Sequence, residues 1–255
     1  SSLRLRFAWD EELVQIIDKD GMLDWRYVDL SNEESQEGNE EDKRKEQQEK
    51  IKAIKEQDRL EPYLLEEGHL FRVYIIKQRE DYYTCIFSNH HAILDGWSGP
   101  LMLNYVHSSY LKLLTKQHIE AAIDYSYAAT QKYIQEHSKV SQEYWGKYLE
   151  QLTQREDLSG LLSEKVNLHN YRYIKESKTQ EIIIKESLYQ ELKNYAQDIG
   201  VTLNAILQYA WHKTLSIYGN TNQTIVGTTV AGRALPIEGI EDSVGLYINT
   251  LPLIV

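Results

Sequence analysis

The sequence lacks most features that bind common ligands or staple a fold together. It has one cysteine, Cys85, so an internal disulfide is excluded and a reducing compartment, the cytoplasm, is expected. It has no glycine-rich phosphate-binding loop and no apolar run as long as a membrane span. Its 28 Lys and Arg are outnumbered by 39 Asp and Glu, giving a net charge of −11. We therefore expect neither nucleic acid nor an anionic membrane surface as a partner.

The distribution of apolar residues predicts a mixed α/β protein. Residues 70–78 and 82–88 are β-prone runs separated by three residues, as is typical of a hairpin. The other predicted elements are strands at 3–9, 13–17, 179–185, 223–230 and 244–253, and helices at 33–59, 101–114, 141–152, 187–197 and 203–218. We expect capping by Ser187 and Thr202. A boundary near 160–175 would divide the chain into lobes at 1–165 and 166–255.

Two adjacent histidines, His90 and His91, directly follow the second strand of the hairpin. Neighbouring side chains on a strand point to opposite faces, so only one of the two can face a given cleft. Asp95 and Gly96 end a tight turn before the next helix, where the aspartate can fix the turn and the glycine can permit unusual backbone angles. An imidazole held in this way can transfer protons near neutral pH. The spacing leaves open a catalytic histidine, a core pair or a metal site.

Two other kinds of site fit the sequence poorly. Adjacent histidines are an awkward chelate, and no CxxC, HExxH or carboxylate cluster completes a metal site. The run GWSGP at 96–100 has Pro100 where the nucleophile elbow of a serine hydrolase needs glycine. We therefore expect no metal and no serine nucleophile.

The run HHAILDGWS at residues 90–98 resembles the HHxxxDG signature of condensation domains of nonribosomal peptide synthetases, which are relatives of chloramphenicol acetyltransferase. Other runs resemble further signatures in the family's order: LRLRF at 3–7, GHLFR at 68–72, YW at 144–145, VTLN at 201–204, GTTVAGR at 227–233 and VGLYINTLPL at 244–253. Leu5 replaces a threonine of the family's pattern, and His69 replaces a proline. The family's opening motif and most of its second lobe are absent, so we interpret both ends as cuts.

The resemblance implies a role for each site residue. His91 would be catalytic, positioning or deprotonating an attacking amine, and Asp95 would pair with an arginine, for which Arg4 is favoured over Arg6. The other residues that it implicates are the loop supports His90, Gly96, Trp97 and Ser98, and the channel residues Gly245, Asn249 and Arg233.

The implied fold is an acetyltransferase-like lobe with the beginning of a second, and the implied reaction is acyl transfer. An upstream aminoacyl or peptidyl thioester would pass to the amine of a downstream aminoacyl thioester. Both would be held on phosphopantetheine arms of peptidyl carrier proteins beside an adenylation domain, with no cofactor bound by this chain. A fragment cut at both ends would be inactive or would need its complement. The alternatives are a stand-alone acyltransferase, an epimerization domain, against which the NTLP run argues, and a non-catalytic docking module.

Overall fold

The computed structural model describes residues 1–10, 12–31, 40–120, 123–153 and 179–255. The chain forms two compact units, the first made of Ser1–His137 and Ala231–Asn249, and the second of Ser138–Val230 and Thr250–Val255. The predicted boundary near 160–175 lies outside the described residues. The division into lobes at 1–165 and 166–255 therefore stays a prediction.

The described residues of the first unit contain five strands in two sheets. Strands β1 (Leu5–Ala8) and β2 (Val14–Ile17) form an antiparallel pair. Strands β3 (Asp24–Asp29), β4 (Phe71–Arg79) and β5 (Tyr82–Asn89) form a sheet in that order, with β3 parallel and β5 antiparallel to β4. The mixture of strand directions and flanking helices confirms the predicted α/β class.

The three-stranded sheet is covered on one face by helix α1 (Glu40–Leu60). Tyr74 and Ile76 pack there with Leu30 and with Ile51 of the helix. The other face contributes Phe71 and Val73 to a second cluster, whose further buried members are Leu5, Leu70, Ile93, Leu94, Tyr127, Ile240 and Tyr247. Side chains alternate between the faces of a strand, so β4 contributes to both clusters, and most of its residues are buried. The second cluster includes Ile93 and Leu94, which lie between β5 and the next helix.

Two further helices belong to the first unit, α2 (Ser98–Leu114) and α3 (Ser126–Glu136). The second unit contains the remaining elements: helices α4 (Ser138–Leu149), α5 (Glu186–Asp198) and α6 (Leu203–Gly219), and the paired strands β6 (Ile225–Val230) and β7 (Asn249–Ile254). The Thr202 side chain accepts a hydrogen bond from Ala205 N and caps α6, as predicted.

Several local predictions were wrong. Residues 179–185 form no strand; Ile182 and Ile183 are exposed, and neither pairs with a strand in the described ranges. The cap position of α5 is Lys185, and Ser187 lies inside the helix. Strand β3 and helix α3 were not predicted from the sequence. In the described parts of the chain, no helix is both long and apolar enough to cross a membrane.

Candidate active site

Residues 90–97 form the loop that joins β5 to α2, and backbone hydrogen bonds set its course. His90 N donates to Leu70 O over 2.9 Å, which ties the start of the loop to the beginning of β4. Ile93 N then donates to His90 O, and Ile93 and Leu94 bury their side chains in the core. The loop is therefore anchored at its start and in its middle, with the two histidines held between those anchors.

The ring of His91 is oriented by one hydrogen bond. Its Nδ1 lies 2.6 Å from Leu94 O. A carbonyl oxygen only accepts, so Nδ1 carries the proton, and in the neutral ring Nε2 has a free lone pair. The residue is exposed. The side chain thus presents a fixed proton acceptor on the protein surface.

His90 has the opposite tautomer. Its Nδ1 accepts a hydrogen bond from Ala92 N over 3.1 Å, so the proton of the neutral ring lies on Nε2. The ring meets Tyr63 edge to face, with 6.0 Å between centroids. His90 is half-buried and shapes the loop, which agrees with the expectation that only one histidine faces a given cleft.

His91 lines a surface depression of 410 Å³. Phe87 and Asn89 from the end of β5, Gly96 from the loop, and Gly99 and Met102 from α2 contribute to the same wall. A Cβ atom built on Gly96 or on Gly99 would meet nothing within 4 Å, so these glycines leave open space beside the histidine. The depression can therefore admit a substrate atom next to His91.

Asp95 is buried, with 5% of its surface exposed, and its carboxylate organises the end of the loop. Oδ1 accepts from Ser98 N over 2.9 Å at the start of α2. Oδ2 accepts from Tyr247 N over 3.0 Å and from Ile248 N over 3.3 Å. One carboxylate thus joins the loop, the helix start and a segment about 150 residues further along the chain.

The charge partner of Asp95 is Arg233, and the prediction of Arg4 was wrong. Nη2 of Arg233 lies 3.3 Å from Asp95 Oδ1, and both side chains are buried. Arg4 instead donates to Lys19 O on an exposed edge. The candidates taken from the sequence were Arg4 and Arg6, because nothing there indicated an arginine far away in the chain. The fold brings Arg233 directly to the loop.

Arg233 and Gly245 support the loop from beneath and do not line the depression. Arg233 also donates to Ile240 O and Ser243 O, and its guanidinium lies 4.1 Å from the centroid of the Tyr247 ring. The Ser98 hydroxyl is 2.8 Å from Gly245 O and accepts from Gly245 N over 2.9 Å. Gly245 was predicted to lie near the cleft floor, and it lies instead in this buried support.

Opposing effects set the pKa of Asp95. Burial raises this pKa, but hydrogen bonds from Tyr247 N and Ser98, together with the positive charge of Arg233, lower it by more than burial raises it. The net result is a pKa below the ordinary value of an aspartate, so Asp95 is an anion at neutral pH. This suits a structural role, since a permanently charged group cannot exchange protons with a substrate there.

Glycine is required at two positions of this support. A Cβ on Gly245 would lie 2.5 Å from Cδ2 of Tyr127, which is closer than two carbon atoms can approach. Gly232 has a φ of +69°, and a Cβ there would lie 1.9 Å from Tyr247 O. Gly96 differs, because its φ is outside the positive range. The prediction that Gly96 permits unusual backbone angles was therefore wrong. The structure instead shows open space at its Cβ position.

The remaining predicted residues lie near the surface. Trp97 is 56% exposed and precedes the first residue of α2. Asn249 is exposed and begins β7. The place of Asn249 in a substrate channel stays a prediction.

A second buried ion pair is linked to the loop through Tyr63, and sequence reasoning missed it. Arg72 Nη1 lies 2.8 Å from Asp58 Oδ1, and the Arg72 guanidinium stacks 3.8 Å from the centroid of the Tyr63 ring. The Ser88 hydroxyl donates to Asp58 Oδ2, so Tyr63 OH must donate its own proton to Ser88 Oγ, 2.7 Å away. Tyr63 in turn contacts His90. The only signal in the sequence was Arg72, the last residue of the GHLFR run.

Electrostatics follow from this burial. Desolvation raises the pKa of Asp58, yet hydrogen bonds from Ser88 and Tyr74 and the charge of Arg72 bring it below the ordinary value. Burial raises the pKa of Tyr63. Within the described ranges, no group of three or more His, Cys, Asp or Glu residues is arranged to hold a metal ion.

Comparison with known proteins identifies the family of the chain. The family described as "Condensation domain" matches residues 1–255. The chain belongs to the condensation domain family. It is 46% identical over 259 residues to the N-(5-amino-5-carboxypentanoyl)-L-cysteinyl-D-valine synthase of Amycolatopsis lactamdurans. The match covers all of this chain but only 7% of that protein. Bacitracin synthase 3 of Bacillus licheniformis is 29% identical over 97% of this chain and 4% of its own length.

Solved structures share the fold at low sequence identity. The first condensation domain of the calcium-dependent antibiotic synthetase has a TM-score of 0.61 at 19% identity, covering 99% of this chain and 57% of its own. The epimerization domain of the third module of tyrocidine synthetase B has a TM-score of 0.63 at 18% identity, covering 99% and 56%. Since both domains match about equally, the fold does not separate condensation from epimerization.

Proposed function

We propose that this condensation domain joins an acyl thioester to an amine, with His91 as the catalytic residue. The observation that carries the proposal is the hydrogen bond from Nδ1 of His91 to Leu94 O, together with the place of His91 in the wall of the open depression. An acceptor amine placed there can give a proton to Nε2 as its nitrogen attacks the thioester carbon. The carbon–sulfur bond then breaks, and the proton is available to the departing thiolate.

The buried ion pairs explain how the His91 ring can keep one position through successive turnovers. Asp95 with Arg233 fixes the loop directly, and Asp58 with Arg72 is linked to the loop through Tyr63. Groups held in one geometry lower the entropy cost of bringing donor and acceptor together. Positioning of the amine and acceptance of its proton are both roles of His91 in this proposal.

Partners and substrates extend the proposal beyond the chain itself. The donor and acceptor would arrive as thioesters on the phosphopantetheine arms of peptidyl carrier proteins, beside an adenylation domain, because the relatives are multidomain peptide synthases. The name of the synthase from Amycolatopsis lactamdurans describes an acyl group with an amide at C1 and an amino and a carboxyl group at C5. We include that acyl group among the donors. The single cysteine supports a cytoplasmic location.

The test is a single-turnover assay of the intact synthetase with loaded carriers, in which the amide product is measured by mass spectrometry. We expect His91→Ala to lower the rate by about 10²- to 10⁴-fold, the usual contribution of a general base. Lys55→Gln is the control, since Lys55 lies on the exposed side of α1. An unchanged rate in His91→Ala would favour a docking module. Inversion of the donor's stereocentre with no amide product would favour an epimerization domain.

A further inference from the structure

A second cavity, of 790 Å³, lies beside the His91 depression in the first unit. Phe87 and Met102 line both cavities. The second cavity has apolar walls, formed by side chains of the three-stranded sheet and of α2, with charged residues at one edge. It is therefore a space next to the proposed catalytic residue that the proposed reaction does not yet use.

The floor of this cavity, which we call the acyl track, is a row of side chains across the sheet. Phe87 of β5 pairs with Val73 of β4, and Val73 pairs with Trp25 of β3. All three residues line the cavity. Two strand spacings separate Phe87 from Trp25, so the track is about 10 Å long. It runs from the side of His91 to the beginning of β3.

The far end of the acyl track carries charges of both signs. Asp18, Lys19 and Asp20 directly follow β2, in the connection that leads to β3, and line the cavity. Asp18 is paired with Arg6 over 3.2 Å. Lys19 and Asp20 are exposed and adjacent, so this edge presents an ammonium group beside a carboxylate. A ligand end bearing both an amino and a carboxyl group complements such a pair.

We infer that the acyl track binds the donor acyl chain, and that this chain has a short aliphatic body with an α-amino acid group at its far end. The inference rests on the proposed function, which places the thioester carbon at His91. Lys19 pairs with the donor's carboxylate and Asp20 with its ammonium group. A five-carbon chain extends about 5 Å at ordinary bond lengths, so it lies along about half of the track, and the side chains of the charged edge reach inward to its head group. Each methylene buried there strengthens binding about fourfold.

The first test blocks the track. Cys85 lines the cavity, is exposed, and lies two residues before Phe87 on the same face of β5. We expect Cys85→Trp in the intact synthetase to slow transfer of a 5-amino-5-carboxypentanoyl donor about tenfold more than transfer of an acetyl donor, because the indole occupies the path of the longer chain. Glu80→Trp in the β4–β5 turn is the control for added bulk.

The second test reads the charged edge with trimmed donors. Lys19→Gln is expected to raise KM about two- to fivefold for donors that carry the distal carboxyl group, the range of an exposed ion pair, and to leave 5-aminopentanoyl unaffected. Asp20→Asn is expected to do the same for donors with the distal amino group and to leave 5-carboxypentanoyl unaffected. Lys55→Gln is the control for loss of a positive charge, with no preference among the donors.

The outcomes separate this inference from the proposed function. The inference is overturned if the ratio of the long-donor rate to the acetyl rate in Cys85→Trp stays within twofold of the wild-type ratio. This includes the case in which another segment of the synthetase fills the track and both donors slow equally. Charge variants that affect all donors alike also overturn it. In those cases the proposed function stands as long as acetyl transfer still depends on His91. If acetyl transfer does not depend on His91, the proposed function itself fails.

Discussion

Replacement of Asp95 by asparagine tests whether the buried ion pair holds the histidine loop. The carboxylate accepts hydrogen bonds from Ser98 and Arg233 at Oδ1 and from Tyr247 N and Ile248 N at Oδ2. An amide has one oxygen and one NH₂ group, so in either orientation its nitrogen faces backbone N–H groups, and on one side also the Arg233 guanidinium, none of which can accept a hydrogen bond. Arg233 also loses its charge partner while it remains buried.

Breaking a buried ion pair in this way costs about 3–5 kcal/mol of unfolding free energy. We expect that loss for Asp95→Asn in urea unfolding of the protein, followed by the fluorescence of its five tryptophans. The control is Asp18→Asn, which removes the half-exposed pair with Arg6 and should cost about 1 kcal/mol or less. The double variant Asp95→Asn/Arg233→Met should lose less than the sum of the single losses by about 2–3 kcal/mol.

The stability difference between wild type and Asp95→Asn should also change with pH in a definite direction. The pKa of Asp95 is lower in the folded protein than in the unfolded chain, so its contribution is fully present above about pH 4 and is lost as the pH falls through the lower folded value. The difference between wild type and Asp95→Asn should therefore be largest near neutral pH and should shrink in acid. A loss below about 1 kcal/mol, or single losses that add within about 0.5 kcal/mol, would refute the reasoning.

Three further predictions follow from individual residues. Burial raises the pKa of Tyr127 to about 12, so the protein should lose up to about 3 kcal/mol of stability between pH 10 and 12; urea midpoints in Tyr127→Phe should lack that loss. Thermal unfolding should show that Gly232→Ala costs more than about 3 kcal/mol and Gly96→Ala less than about 1 kcal/mol, and equal shifts would contradict the contacts at these positions. Nitrogen-15 spectra should show a neutral His91 protonated at Nδ1 and a neutral His90 at Nε2, and the same tautomer in both would show that the loop is held differently.

Local pattern predicted much of the first unit. The β4–β5 hairpin, the start of α2 and the pairing of β1 with β2 follow from runs of apolar residues and turn residues that lie close together in the chain. Strand β3 was missed because its parallel pairing with β4 connects residues about 48 positions apart, and no local pattern encodes such a contact. The Thr202 cap was predictable because a cap bonds its own helix.

The candidate site divides along the same line. The HHAILDGWS run identified His91 and Asp95, whose relation is local. The GTTVAGR motif contains Arg233, but the pairing of Arg233 with Asp95 spans 138 residues and could be seen only in the folded structure. The contact of Tyr63 with His90, and its link through Ser88 to Asp58, also depend on packing between segments that sequence spacing does not relate.

The central claim, that Nε2 of His91 accepts the proton of the attacking amine, is tested most directly by the pH dependence of the single-turnover rate of amide formation. His91→Asn keeps a polar side chain that can bond Leu94 O but cannot take up a proton near neutral pH. The account predicts that His91→Asn is about 10²- to 10⁴-fold slower than wild type and has a different dependence of rate on pH, because it offers no proton acceptor at this position. A variant within about threefold of wild type, with the same pH profile, would contradict it.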